Sequence, residues 1–282
     1  MSRTADRVKK LFRGLTRSNR RQEESSRAVH PPIELAHQLS EGMEVGFSSH
    51  TGNRATNEDY AVFSTKGDFF AVSDGIGGAP YGDVMSRLAC NTAVRAFDEG
   101  ASINEAFEIA NELVSLTSEL LGESSGATLL LAERGGDRLK MVSVGDTRAF
   151  LLRDGLLVPL TGAGRADTHS NALDKAVGYG PMEPDVAEAR LLAKDRLLLC
   201  TDGVWEYVSS NRLALLLGMH DTAPIAADEI AWEASRVGND NSTCICAFVG
   251  EGFMADSEGQ WGVDDAAFYG SDTPTADFSL EE

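Results

Sequence analysis

Long apolar runs are missing from this 282-residue sequence. No stretch approaches the ~18–20 apolar residues of a transmembrane helix, and the first residues lack the continuous apolar core of a signal peptide. Cysteines are also few: the four present lack the paired spacing of a metal site and are too few, in a chain of this size, to suggest a disulfide scaffold. They are Cys90, Cys200, Cys244 and Cys246. These absences favour a cytoplasmic protein in a reducing compartment.

Basic residues are scarce, with 25 Lys and Arg against 44 Asp and Glu and a net charge of −19. This balance argues against nucleic-acid binding, which needs clustered Lys and Arg on the folded surface. The charge is uneven, because residues 1–30 carry nine Lys and Arg but only three acidic residues. Apolar residues at helical spacing there are typical of a basic amphipathic helix with weak membrane-surface contact, and a disordered basic arm is the alternative. They are Val8, Leu11, Phe12 and Leu15.

Three parts of the chain differ in composition. Residues 1–40 are predicted to form a basic N-terminal tail, because Pro31-Pro32 would stop any helix before the body. Residues 41–250 have a globular texture and can bury one substantial core. Residues 251–282 hold nine acidic residues and no Lys or Arg, which predicts an acidic, disordered C-terminal tail.

Strand-like and helix-like segments are grouped along the body rather than strictly alternating. This grouping favours an α+β layered fold over a parallel doubly wound sheet. The pattern predicts, in order, a hairpin (60–63 and 69–72), two helices (80–97 and 102–121), an antiparallel meander of three strands (127–132, 139–144 and 149–152), a strand (197–200), two helices (213–217 and 225–235) and a last strand (243–249).

Acidic residues occur where several predicted strands begin or end. Taken singly, each is typical of a turn. Together they would gather like charges at one place, which is costly unless a cation neutralises them. Oxygen ligands without a His–Cys cluster favour Mg²⁺ or Mn²⁺ over zinc. The residues are Glu58, Asp59, Asp74 with Gly75, Asp146, Asp202 and Asp240.

Arg54 lies four residues before Glu58 and is a candidate phosphate receptor, because its planar guanidinium suits bidentate binding of an anion. A surface salt bridge is the alternative role for this arginine. The sequence has neither a Cys-x₅-Arg loop for a cysteinyl nucleophile nor a Gly-x₄-Gly-Lys-Ser/Thr phosphate loop. Phosphate chemistry here would therefore not use those two mechanisms.

Six short motifs follow one another along the chain: GNRATNED from Gly52, SDGIGG from Ser73, GAT from Gly126, SVGDTRA from Ser143, TDGVW from Thr201 and DNST from Asp240. In this order they resemble the signature of the PPM-type phosphatases, also called protein phosphatase type 2C, and most closely the bacterial ones. The resemblance runs from about Val45 to Val249. It implies an α+β fold, a four-layer α-β-β-α sandwich with two central antiparallel sheets.

The resemblance also implies an enzyme, a protein-serine/threonine phosphatase in which a metal-activated water attacks phosphorus without a phosphoenzyme. It implies two Mg²⁺ or Mn²⁺ ions, and a third in some bacterial members. Asp74 would bridge two ions and Arg54 would bind the substrate phosphate. The implied metal ligands are Glu58, Asp74 and the Gly75 carbonyl at one ion, Asp202 and Asp240 at another, Asp59 beside them, and Asp146 with Asp202 at a third.

Two features depart from the family pattern. Ile76 stands where several members have a histidine that is thought to protonate the leaving oxygen, and isoleucine carries no proton to donate. The flap that follows Leu160-Thr161 is severely shortened, since Ala176-Val177-Gly178 arrives soon afterwards. His169 lies in this segment, and we interpret it as a loop or helix-cap histidine rather than a base.

Two other functions are compatible with the same motifs. One is a pseudophosphatase, a phosphatase-fold binding module, although all the expected carboxylates are present. The other is a phosphoserine phosphatase acting on the regulator of a partner-switching system. In every case we expect phosphoprotein partners, including the substrates of a Ser/Thr kinase, and a monomer. The expected location is cytoplasmic, with residues 1–30 as a possible membrane contact.

Overall fold

The computed structural model describes residues 38–40, 42–76, 81–122, 124–162 and 176–253. Predictions for the basic arm, for the flap with His169 and for the acidic tail beyond residue 253 lie outside these residues. The first described strand, Gln38–Ser40, falls within the predicted N-terminal tail. No helix in the described ranges has the length and apolar character needed to cross a bilayer.

One sheet has six antiparallel strands in the order β1-β2-β11-β10-β7-β8. Its central strand β11 is buried along its whole length and pairs with β2 on one side and β10 on the other. The strands are β1 (Gln38–Ser40), β2 (Met43–His50), β7 (Arg148–Arg153), β8 (Leu156–Pro159), β10 (Arg196–Cys200) and β11 (Ser242–Val249).

The second sheet has five antiparallel strands in the order β3-β4-β5-β6-β9. The predicted hairpin forms β3 and β4, which run further than expected at the end that carries Asp74, by one residue in β3 and two in β4. The strands are β3 (Asp59–Phe63), β4 (Phe69–Asp74), β5 (Leu129–Gly135), β6 (Arg138–Val144) and β9 (Asp185–Arg190).

Helices cover the outer face of each sheet. The second sheet is covered by α1 (Gly82–Asp98) and α2 (Ile103–Leu121), and the first by α3 (Asp202–Trp205), α4 (Ser210–Met219) and α5 (Ala223–Val237). Local sequence fixes where they begin. Ser102 and Glu105 form a reciprocal capping box at α2, and Pro224 occupies the first turn of α5, where a missing N–H costs nothing.

Three buried apolar clusters separate four layers. One lies between α1, α2 and the second sheet, one between the two sheets, and one between the first sheet and α4 with α5. Because strand side chains alternate between faces, each sheet contributes to two clusters. The predicted α+β sandwich of two antiparallel sheets between helical layers is confirmed.

The predicted three-stranded meander is wrong. β5 and β6 pair, but β7 belongs to the other sheet, where it pairs with β8 and β10. The chain changes sheet at Gly145, whose φ of 92° suits glycine and whose added Cβ would lie 2.6 Å from the Thr128 side chain. Both faces of β7 are buried, so its apolar pattern cannot show which sheet it joins.

Candidate active site

Asp59 and Asp74 lie directly opposite each other where β3 and β4 pair. The Thr201 hydroxyl donates to Asp59 Oδ2 at 2.9 Å. Burial raises the pKa of Asp59 to about 6, against hydrogen bonds that lower it. Burial also raises the pKa of Asp74 to about 10, with the charges of Asp59 and Asp202 as the next causes. The pKa of Asp74 is therefore raised further than that of Asp59.

Asp202 begins α3, directly after strand β10. Burial, followed by the charges of Asp146, Asp240 and Asp59, raises its pKa to about 7. Asp146 lies in residues 145–147, the link between β6 and β7 in which the chain changes sheet. Its pKa is raised by burial, and its Oδ1 is buried without a hydrogen-bond partner among the described residues. An unpartnered, buried carboxylate oxygen is a suitable ligand for a hard cation.

The Asp146 link is anchored by an aromatic side chain. The Trp205 indole N–H donates to the Asp146 carbonyl at 3.0 Å. The Arg148 guanidinium carbon lies 3.4 Å from the centroid of the Trp205 ring, in a cation–π contact. The end of β6, the start of β7 and helix α3 are thereby held together beside Asp202.

Glu58 packs against the N-terminus of α1, where the helix dipole favours a carboxylate. A Cβ added to Gly82 would lie 2.8 Å from Glu58 Oε2, and one added to Gly75 would lie 2.4 Å from the Gly82 carbonyl oxygen. Position 75 therefore needs glycine, because its added Cβ would meet backbone, whereas a side chain at residue 82 would displace the Glu58 carboxylate. The Gly75 N–H donates to the Glu58 carbonyl at 3.0 Å. The pKa of Glu58 is raised by burial and by the nearby charge of Asp83, whereas Arg54 lowers it.

Arg54 and Asp240 form an ion pair at the rim of the site. Arg54 Nη2 donates to Asp240 Oδ2 at 2.7 Å, and Arg54 Nε donates to the Asn239 carbonyl at 3.0 Å. The Arg54 side chain is about half exposed (47%), so its guanidinium remains accessible from solvent. This geometry places the predicted phosphate receptor next to the predicted ligand Asp240.

Asn241 belongs to the DNST motif, and the structure shows that its side chain holds a loop of the site in place. Its side-chain carbonyl accepts the Glu58 N–H at 2.9 Å. Its side-chain amide donates to the carbonyls of Thr51 and Thr56, both at 2.9 Å. Asn241 is buried and thus ties the loop that carries Arg54 and Glu58 to the start of β11.

Thr128 links two of the acidic residues. Its hydroxyl accepts the Asp74 N–H at 2.8 Å and shares a 2.6 Å hydrogen bond with the Thr147 hydroxyl. The Thr128 N–H donates to the Asp74 carbonyl at 2.8 Å. Because Thr147 follows Asp146, Thr128 fixes Asp74 relative to the sheet-changing link. Only the GAT motif signalled this residue in the sequence.

The donor set fits a hard divalent cation, because it consists of carboxylate and backbone oxygens and because neighbouring carboxyl charges raise the pKa of Asp74 and Asp202. Among the described residues, no three acidic, histidine or cysteine side chains converge to enclose an ion by themselves. Asp240 is held by Arg54 and Asp59 by Thr201, so the carboxylates point to other partners. The fit therefore rests on the chemistry and clustering of these groups.

A family model for protein phosphatase 2C matches residues 48–223, well over half of the chain. The chain belongs to the protein phosphatase 2C family. It is 29% identical over 221 residues to the serine/threonine protein phosphatase PstP of Mycobacterium tuberculosis. That match covers 70% of this chain but only 43% of PstP, so the chain spans less than half the length of this relative.

Another family relative is the serine/threonine phosphatase stp of Listeria monocytogenes, 28% identical over 72% of this chain and 94% of the relative. Among solved structures, the catalytic domain of PstP in complex with two manganese ions superposes with a TM-score of 0.65 at 27% identity. This superposition covers 74% of the chain and 98% of the PstP domain. The predicted family is thus confirmed.

Every predicted site residue lies in the described part of this phosphatase-family chain. The charges of Asp59 and Asp146 raise the pKa of both Asp74 and Asp202. Glu58, Arg54 and Asp240 form a neighbouring group. The functions of these residues stay predictions. Ile76 donates its N–H to the Gly126 carbonyl at 3.1 Å. His169 lies outside the described residues.

Proposed function

We propose that this chain hydrolyses phosphoserine and phosphothreonine in proteins. The main support is that acidic residues from separate strand ends cluster next to an accessible arginine, Arg54. Burial in a shared site raises the pKa of Asp74 to about 10 and that of Asp202 to about 7. Such a concentration of carboxyl groups costs stability, and a binding function for cations is the simplest reason to keep it.

Two Mg²⁺ or Mn²⁺ ions fit the ligand types in this site. When bound, the ions supply an activated water nucleophile and offset charge on the phosphoryl oxygens. Asp74 would contribute to both sites, and Asp146 would take part where a third ion binds. The remaining ligands in this proposal are Glu58, the Gly75 carbonyl, Asp59, Asp202 and Asp240.

Arg54 has the geometry to bind the phosphoryl group. Its Nη2 is now paired with Asp240 and its Nε with the Asn239 carbonyl, while about half of the side chain faces solvent. A phosphoryl group offers two oxygens to the guanidinium fork and can replace the carboxylate as its partner. Asn241 holds the loop that bears Arg54, so the receptor starts from a fixed backbone position.

The proton for the leaving serine or threonine oxygen does not come from residue 76. Ile76 is apolar, and its backbone N–H is already donated to the Gly126 carbonyl. A proton donor other than the histidine of some relatives is therefore required. Phosphoproteins are the proposed partners, including those of a Ser/Thr kinase.

Metal-dependent turnover tests the proposal. Purified chain should hydrolyse p-nitrophenyl phosphate and a phosphothreonine peptide in Mn²⁺ and lose this activity in EDTA. Asp74→Asn should abolish turnover, whereas Asp221→Asn, at an exposed position outside the site, should not change it. If the chain binds the phosphopeptide in saturating Mn²⁺ without any turnover, it is a binding module and the proposal fails.

A further inference from the structure

Strand β2 has a free edge over half of its length. β11 pairs with all eight residues of β2, from Met43 to His50. On the other side, β1 pairs only with Met43, Glu44 and Val45. Among the described residues, no strand pairs with residues 46–50 from that side. An open edge of this kind can accept one further extended segment.

The hydrogen-bond pattern shows which backbone groups face the free edge. The Thr201 N–H donates to the Thr243 carbonyl, so Thr243 and every second residue of β11 face β10. The intervening residues of β11 face β2, opposite Gly46, Ser48 and His50. The N–H and C=O groups of Phe47 and Ser49 must therefore point to the free edge.

Helix α5 forms a wall beside this edge. A Cβ on Gly46 would meet Pro224, and Asp228 accepts the Ser48 hydroxyl at 3.1 Å. His50 Nε2 lies 3.5 Å from the same Asp228 oxygen. The helix thus runs alongside β2. Ile225 and Trp232 flank Asp228 at helical spacings of three and four, and they are 48% and 46% exposed.

We propose that residues 33–37 of this chain, which precede the described residues, continue β1 along the free edge of β2. The register decides the partners, because Gln38 already lies opposite Val45. Continuing it brings residue 35 opposite Ser48 and residue 33 opposite His50. Residues directly opposite share a face, so Leu35 and Ile33 would face α5.

The sequence of this segment suits the groove. Leu35 and Ile33 alternate with Ala36 and Glu34, which gives the α5 side two apolar side chains to cover Ile225 and Trp232. Pro31-Pro32 lies just beyond, where the missing N–H groups would end the strand. A segment joined directly to Gln38 also needs no intermolecular association to reach the edge.

This arrangement would place the basic arm at one end of the fold. Strand β2 leads from His50 into the loop that carries Arg54 and Glu58. Residues 1–30, with six more positive than negative charges, would leave the groove beside that loop. If the proposed phosphatase activity is correct, the arm is then held next to the acidic catalytic site in the same chain.

Disulfide crosslinking in the full chain tests the register without using catalysis. Leu35→Cys with Ser48→Cys places two thiols in a non-hydrogen-bonded pair, where the Cα separation of about 4.5 Å suits a disulfide. The matched control is Ala36→Cys with Ser48→Cys, because a shift of one residue turns the side chain to the other face. The native cysteines are buried.

With glutathione disulfide as the oxidant, we expect an intramolecular crosslink in most of the Leu35→Cys pair and in less than a tenth of the control. Equal crosslinking of both pairs, or none in a first pair that melts like the parent, would overturn the proposal. A disulfide formed only between two chains would assign the edge to a second copy and overturn it as well.

Hydrogen exchange gives a second measurement on unmodified protein. The amides of Phe47 and Ser49 should exchange at least tenfold more slowly in the full chain than in a full chain carrying Ile33→Asp and Leu35→Asp. Ser48, whose N–H faces β11, should exchange alike in both and serves as the internal reference. Equally fast exchange of Phe47 and Ser49 in both proteins would contradict docking. Loss of phosphatase activity alone would not contradict docking of residues 33–37.

Discussion

Asp74→Asn should stabilise the metal-free protein at neutral pH. Burial and neighbouring carboxylates raise the pKa of Asp74 from 3.8 to about 10. The folded chain therefore keeps a proton that the unfolded chain releases above pH ~4, so stability falls as pH rises from there towards 10. At pH 7 this rise in pKa lowers the free energy of unfolding of the metal-free protein by about 4 kcal/mol relative to pH ~4.

Asparagine removes this ionisation but still brings an amide that needs partners, so we expect a net gain of ~2–4 kcal/mol at pH 7. For a domain of this size, the gain corresponds to a rise of roughly 4–16 °C in Tm. The gain should shrink towards zero near pH ~4, where the unfolded chain also holds the proton. In Mn²⁺ the parent should be more stable than Asp74→Asn, because only the parent gains binding energy from the intact site.

Urea unfolding in EDTA between pH 4.5 and 8 measures this difference directly. Asp221→Asn is the matched control, because it makes the same chemical change at an exposed position between α4 and α5. Its stability should follow that of the parent at every pH. A metal-free Asp74→Asn protein that is less stable than the parent at pH 7, with a gap that does not change with pH, would refute the reasoning.

Three further predictions concern the site and its scaffold. Asn241→Ala loses three hydrogen bonds to the loop that carries Arg54, so it should lower the unfolding free energy by ~2–4 kcal/mol and reduce kcat. The control Ser210→Ala, on an exposed helix surface, should change neither quantity. Arg54→Ala should raise KM for a phosphothreonine peptide ~10–100-fold, and Arg54→Lys should restore part of it; an unchanged KM in both would rule out phosphate binding by Arg54. Asp195→Ala breaks the bidentate ion pair with Arg153 far from the site. It should lower the unfolding free energy, measured with denaturant, by ~2–4 kcal/mol and leave kcat unchanged. A loss of kcat would contradict a purely structural role.

Strand β9 shows where sequence patterns give little information. It lies at the edge of its sheet, none of its residues is fully buried, and the two that pack on the core are alanines, Ala187 and Ala189, so its apolar alternation is too weak to detect. β7 presents the opposite problem, because burial on both faces hides the sheet to which it belongs. The two predicted helices after the hairpin were placed within two residues, because their apolar stripes and the Ser102 cap are local signals.

Sequence patterns alone were enough to predict the kinds of residue in the site and the layered α+β fold. Motif order pointed to the carboxylates and to Arg54, because each belongs to a short local pattern at a strand end. The folded structure was needed to show that Asp59 lies opposite Asp74, that Asp240 pairs with Arg54, and that Asn241 holds the loop bearing Arg54 and Glu58. The last two contacts join residues more than 180 positions apart, and they depend on the register of β11 against β2, which brings Ser242 opposite His50. The first depends on the register of the β3–β4 hairpin.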